Sequence, residues 1–191
     1  MSHFAQALLL LLDFAFTVLI ALFVLRLLLQ WTGASFHNPI SQFFYRASNP
    51  VLIPLRRALP TVRGVNTAAL AVAWLLAILN VWLLAALQGQ LLNLPASVVF
   101  GLAGLLSIVL WILFGLLLLT VLISLINPGA DHAIARLAYQ LTEPLLRPIR
   151  RRIPPLGPFD LSPLLVFIGI MLARVLVVAP LNDLGVWLAR G

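Results

Sequence analysis

From Ala96 to Ile126 the chain runs for 31 residues without one charged side chain. A helix needs about 20 mainly apolar residues to cross the roughly 30 Å hydrocarbon layer of a bilayer, and three more stretches reach that length: Phe4 to Thr32, Thr67 to Gln88 and Leu161 to Ala179. As a helix the 96–126 stretch would be about 46 Å long, so tilt or an end outside the membrane is expected. Of the 191 residues, 63% are hydrophobic and 9% charged, against about 45–50% and about 25% in soluble domains, an excess that one small core cannot bury. The solvent for most of this chain is therefore lipid. That excludes a soluble globular enzyme and a disordered chain. The absence of cysteine excludes a disulfide-stapled secreted domain, thiolate metal sites, iron–sulfur ligation and covalent c-type haem attachment.

The first apolar stretch differs from a cleaved leader, because Met1 to Ala7 carries no Lys or Arg and Arg26 follows in place of a small-residue cleavage site. It reads as a retained span. All twelve basic residues are arginines. Between Gly33 and Asn66, Arg46, Arg56, Arg57 and Arg63 stand without an acid, giving +4; between Asn127 and Asp160, Arg136, Arg147, Arg150, Arg151 and Arg152 face Asp131, Glu143 and Asp160, giving +2 of the net +7. Both basic loops join an odd span to an even one, so they share a side, and the positive-inside rule makes it the cytoplasm. The linker Gly89 to Pro95 is uncharged, as a periplasmic turn should be, and both termini are then periplasmic.

The two basic loops match at a constant offset of 94 residues: Tyr45 with Tyr139, Ser48 with Thr142, Pro50 with Pro144, Leu52 with Leu146, Pro54 with Pro148, Arg56 and Arg57 with Arg150 and Arg151, Pro60 with Pro154, and Asn66 with Asp160. Such a fixed offset marks a duplication. Residues 1–94 form one unit (span 4–32, basic loop 33–66, span 67–88) and residues 95–191 the other (span 96–126, basic loop 127–160, span 161–179). Two spans per unit give both units the same polarity, so the repeats are parallel, related by an axis along the membrane normal.

Within each loop Ile40, Phe43, Phe44 and Ala47, and likewise Ile134, Leu137, Ala138 and Leu141, follow helical spacing, with Asn38 and Pro39 as a start signal. These segments should lie at the headgroups with the apolar side down. The prolines that follow, Pro50 and Pro54 and again Pro144 and Pro148, remove helical hydrogen bonds, which predicts short turns or extended chain up to the arginine clusters.

The blocks Asn38-Pro39-Ile40, Asn49 to Arg57 and Thr142 to Arg151, with Gly157 to Pro163 and Arg26 to Trp31, resemble the YggT family over nearly the whole chain, as two tandem units. The resemblance implies a small integral membrane protein of bacteria or plastids with no established biochemical activity. It further implies links to osmotic stress and cell-division neighbourhoods in bacteria, and to cytochrome b6 haem assembly and nucleoid organisation in chloroplasts. The chain departs from the single-unit plastid forms by its duplication, and Thr120 stands where the repeat would place a second copy of Arg26.

The chemistry on offer lies in two places. Arg56, Arg57, Arg147, Arg150, Arg151 and Arg152 are candidates for binding anionic phospholipid at about 1 kcal/mol each, or for docking a membrane protein partner through guanidinium forks gripping phosphate or carboxylate. Nucleic acid fits less well, since no aromatics interleave these clusters. Inside the spans, Asp13, Arg26, Asn80 and Arg174 are the polar candidates. Arg26 is expected to snorkel to the loop side, about 9 Å away. Asp13 and Arg174, about 28 and 20 Å above the loop ends of their helices, are expected to pair. Small residues four apart, Ala69, Ala73 and Ala77, Ala103 and Ser107, Gly169 and Ala173, read as packing seams within the bundle or in a homo-oligomer. No histidine lies within the four spans as drawn, and His37 and His132 flank the loop helices. No catalytic triad, phosphate-cradling glycine loop or metal-ligand set is found, so neither cofactor nor enzymatic activity is expected.

The sequence thus specifies an all-α integral membrane protein: four transmembrane helices in two parallel two-helix repeats, each with an amphipathic interfacial helix and an Arg/Pro-rich cytoplasmic loop. Its expected function is that of a non-enzymatic bacterial inner-membrane scaffold, assembly or stress-response factor, with osmotic homeostasis implied by the resemblance. The alternative is a small channel or transporter subunit.

Overall fold

The structure, a computed structural model, describes residues 3–57, 59–62, 64–127, 129, 131–153 and 160–190; Arg63, Pro154 and the start of the Gly157 to Pro163 block lie outside them. The described residues contain six helices: α1 (His3–Trp31), α2 (Pro39–Leu55), α3 (Thr67–Leu87), α4 (Leu94–Ile126), α5 (Ala133–Arg152) and α6 (Ser162–Arg190), the last with a π-helical stretch at Arg174–Val178. Polar side chains start them. Asn38 Oδ1 accepts from the Ile40 N–H, Asn66 Oδ1 from Ala69, Asn93 Oδ1 from Ala96 and His132 Nδ1 from Ala135, each satisfying a donor that a helix N-terminus leaves open. Gly33 and Gly89, at φ of 65° and 75°, end α1 and α3 in the left-handed conformation that favours glycine.

Helices α1, α3, α4 and α6 are long and apolar enough to span a bilayer, and the rest of the chain buries only 11 to 17% of their most apolar stretches. Faces such as Leu10, Phe14, Leu75 and Leu176 stay exposed, and only lipid can solvate that much apolar surface. The chain is a multi-pass membrane protein. Asn38 Nδ2 donates to the Ala133 carbonyl at 2.7 Å, which ties the start of α2 to the start of α5 and puts both loop helices at one end. Helices α1 and α4 therefore run the same way, as the parallel repeat requires. At the other end Asn93 Nδ2 donates to Leu188 O at 2.6 Å.

The main core joins Ile20, Phe23, Val24 and Leu29 of α1 to Ala68, Ala69, Ala73 and Ala77 of α3 and to Tyr45 and Leu52 of α2. The alanine seam thus closes as its spacing suggests. Two contacts escaped the four-residue pattern. Gly101 of α4 lies against the Ile78 backbone of α3, and Gly185 of α6 against the Phe100 ring of α4, each too close for a Cβ. The seam expected at Gly169 and Ala173 stays open instead: Gly169 has no neighbour within 4 Å where its Cβ would be, and both residues line an apolar groove of about 300 Å³ with Leu110, Leu113 and Leu145.

Two expectations fail at prolines that the helices accommodate. The prolines do not break the loop helices, for α2 continues through Pro50 and Pro54 and α5 through Pro144 and Pro148. Because the prolines are four apart, the carbonyls they leave unbonded fall on one face: Arg46 and Pro50 in α2, Gln140 and Pro144 in α5. In α2 that face is exposed at all three positions and in α5 at Gln140 and Pro148, where water or headgroups can satisfy the oxygens, while Ser41, Tyr45, Ser48 and Leu52 bury the opposite face. The fourth span likewise passes its expected end at Ala179 and continues through Pro180 to Arg190. There the π stretch sends the Ala179 N–H to Arg174 O, and this register shift next to Pro180 takes up the distortion that proline imposes on a helix.

Candidate functional site at the arginine end

Side by side at one end of the bundle, α2 and α5 carry the candidate arginines on their C-terminal turns and on the residues just beyond. Arg57, Arg147, Arg151 and Arg152 are exposed, and Arg56 and Arg150 are half-buried. In the second repeat Arg150 is held internally, with Nη2 2.8 Å from Asp160 Oδ2 and Nη1 3.3 Å from Glu143 Oε2. Burial opposes ionisation of Asp160, but the Ser162 backbone N–H and the Arg150 guanidinium outweigh it and hold the carboxyl below its usual range. Arg136 and Asp131 form a looser, exposed pair at 3.5 Å, which contributes little. Among the described residues the free cationic surface of the second repeat is therefore Arg147, Arg151 and Arg152, and not Arg150.

The polar residues of the spans are partnered differently from expectation. Arg26 does not snorkel. It is 2% exposed, with its guanidinium carbon 3.4 Å from the centroid of the Tyr45 ring, because α2 folds over this end of α1 and offers an aromatic face to stack on. Asp13 does not pair with Arg174: Asp13 Oδ1 accepts from Asn80 Nδ2 at 2.9 Å, while Arg174 lies 4.3 Å over the Trp111 ring. The antiparallel pairing of α1 and α3 explains the first contact, since the Asn66-to-Gln30 hydrogen bond sets a register that brings residue 80 beside residue 13. At the 94-residue offset, Ser107 and Arg174 stand where the first repeat has Asp13 and Asn80. Without a carboxylate opposite it, Arg174 turns to the nearest π-face. Thr120, in the place of Arg26, shares a 3.2 Å hydrogen bond with Thr142.

Both units of this arrangement match one family model, described as CCB3/YggT, over residues 5–87 and 99–181. The chain belongs to the CCB3/YggT family. It is 37% identical over 164 residues to an uncharacterized protein encoded in the proC 3′ region of Vibrio alginolyticus, covering 85% of this chain and 88% of that protein. It is 34% identical over 157 residues to an uncharacterized protein of Pseudomonas aeruginosa, covering 81% and 80%. The uncharacterized protein YggT of Escherichia coli K12 is 32% identical over 168 residues, covering 88% and 87%. No solved structure matches the chain.

Within this YggT pair, the residues that position the candidate arginines include several that periodicity did not single out as site residues. Tyr45 was visible only as a repeated tyrosine, and its stacking role depends on the fold-back of α2. Glu143 and Asp160 were counted as charge dilution, whereas they anchor Arg150. His132 serves α5 as a cap, at the position where the first unit has Asn38.

Proposed function

We propose that this YggT protein is a non-catalytic scaffold or assembly factor of the bacterial inner membrane, with its arginine end cytoplasmic and both termini periplasmic. It gathers anionic phospholipids and a membrane protein partner on the paired helices α2 and α5, and the osmotic-stress link implied by its family is the setting in which it acts. The observation that supports this reading is the convergence of Arg57, Arg147, Arg151 and Arg152, exposed and without an acidic partner among the described residues, on helices tied together by Asn38 and Ala133. Arginines there attract an anionic leaflet at about 1 kcal/mol each, and the positive-inside rule orients them. The open groove over Gly169 is a place for a second copy of the chain.

The test is cross-linking in native membranes followed by purification, with wild type beside an Arg147→Lys, Arg151→Lys and Arg152→Lys variant. Lysine keeps the charge but loses the fork. A partner captured by wild type and lost from the variant supports docking; equal capture contradicts it. The second reading, a small channel or transporter subunit, draws on the Asp13 and Asn80 contact within the spans. Ion flux in proteoliposomes of the purified chain would favour that reading, and a scaffold predicts none.

A further inference from the structure

The joint between the two repeats is one-sided. Two units closed by a twofold axis would match a contact of α3 on α4 with an equal contact of α6 on α1. Here α3 packs along α4, and among the described residues α6 and α1 do not pack together. On the joined side Gly101 of α4 lies against the Ile78 backbone of α3. Along the same faces Trp74, Ile78 and Val81 of α3 are half-buried, and on α4 Gly101 and Leu105 are buried and Ile108 half-buried. Each set follows i, i+4, i+7 spacing, which is one face of a helix.

At the 94-residue offset Trp74, Ile78 and Val81 become Ile168, Leu172 and Val175 of α6, and Gly101, Leu105 and Ile108 become Ala7, Leu11 and Phe14 of α1. All six counterparts are exposed. The chain therefore carries both halves of its own inter-repeat joint a second time, unjoined, on two helices that do not meet. We propose that a second copy of the chain completes them: α1 of one copy lies against the Leu172 face of α6 of the next, repeating between chains the joint that α4 makes with α3 within one. Parallel repeats put Ala7 at the depth of Gly101 and Leu172 at the depth of Ile78, so copies inserted with the same polarity meet in register. Close packing over small residues, and not a hydrophobic drive, holds spans together in lipid. Ala7 is small, but its methyl fills the space that Gly101 leaves to the Ile78 backbone, so the joint between copies is about 1 Å wider than the one within the chain. A contact that uses different faces on the two partners is heterologous and runs on from copy to copy, into a ring or an open row, instead of stopping at a dimer. The incoming α1 lies beside the groove over Gly169, so the proposal deepens the scaffold reading by naming the segment of the second copy that arrives there.

The test uses the full chain in native membranes, where the lack of cysteine lets copies join only at introduced thiols. Within the chain the ideal Cβ of Gly101 lies 2.9 Å from Ile78 Cα, so the equivalent positions of two copies come within the Cα separation of about 4.4–6.8 Å that a disulfide spans. Oxidation of Ala7→Cys co-expressed with Leu172→Cys, each with its own tag, should give a reducible dimer that contains both tags and nothing larger. Both substitutions in one chain should give a ladder of trimers and beyond. Neither variant alone should cross-link, and neither should Ala7→Cys with Leu79→Cys, an exposed position on α3 next to Ile78. Packing supplies a second readout, dissociation on dilution in detergent followed by native mass spectrometry. Ala7→Phe should weaken association by about fivefold or more, the scale of overpacking, and Ala7→Gly, which supplies the residue found at position 101, should strengthen it, a gain that misfolding does not produce. Absence of the mixed dimer, dimers as abundant from either single variant, or an equal yield with Leu79→Cys overturns the proposal. Partner capture through Arg147, Arg151 and Arg152 does not depend on this joint, so the two readings fail separately.

Discussion

Substituting Gly101 by alanine measures how closely the two repeats approach. An ideal Cβ at Gly101 falls 2.5 Å from Ile78 Cγ1 and 2.9 Å from both Ile78 N and Ile78 Cα. The side-chain tip can rotate away, but the backbone of α3 cannot. Carbon contacts relax to about 3.5–4.0 Å, so α3 and α4 must part by about 1 Å at this level, loosening the contact that joins the repeats. Overpacking of this kind costs about 1–3 kcal/mol, while alanine in place of a mid-helix glycine recovers about 0.5–1 kcal/mol. The net effect is a loss of about 1 kcal/mol, between bounds of about 0 and 2.5 kcal/mol, or a fall of a few degrees in thermal midpoint. Gly104, on the same helix, has nothing within 4 Å of its Cβ position, so Gly104→Ala should only gain. Unfolding of both variants in detergent should therefore give shifts of opposite sign. Gly101→Ala as stable as Gly104→Ala would refute the close approach.

Three more outcomes follow from the polar and packing contacts. Gly185→Ala should destabilise less than Gly101→Ala under the same unfolding assay, because its clash is with the swinging ring of Phe100. A double-mutant cycle of Asp13→Ala and Asn80→Ala should show coupling of about 0.5–1.5 kcal/mol, and the cycle of Asp13 with Arg174 should show none. The Asp160 carboxyl titrates below its unfolded value of about 3.9; its contribution to stability is therefore complete above that pH and is lost as pH falls through the folded value. Wild type should lose more stability between neutral pH and pH about 3 than Asp160→Asn does, a comparison that equal losses would refute.

Much of the fold was legible because lipid imposes simple rules. Four spans, their shared polarity and the fixed offset follow from length, apolarity and repetition, and α1, α3 and α4 begin and end within two residues of expectation. The misreadings arose where tertiary packing overrides local rules. Pro50, Pro54, Pro144 and Pro148 sit inside helices because their faults line up on the outer face, and Pro180 is accommodated by a π stretch that composition does not announce. Arg26 was assigned to water because the cover supplied by α2 is a long-range contact. Asp13 was matched to the only opposite charge at its depth, when the register of α1 against α3 gave it an amide. The apolar stripe Ile40, Phe43, Phe44 and Ala47 was correctly seen as helical, but Phe43 and Ala47 face outward and the bundle takes the polar face of Ser41, Tyr45 and Ser48.

The central claim is that both repeats turn their arginine helices to the same, cytoplasmic side. The absence of cysteine from the chain makes this directly measurable with single cysteines at Arg57, Arg151 and Gln90, labelled by a membrane-impermeant maleimide in intact spheroplasts and again after lysis. The account predicts that Arg57→Cys and Arg151→Cys react only after lysis and Gln90→Cys reacts before it. Labelling of positions 57 and 151 from opposite sides, or of both from outside, would contradict it.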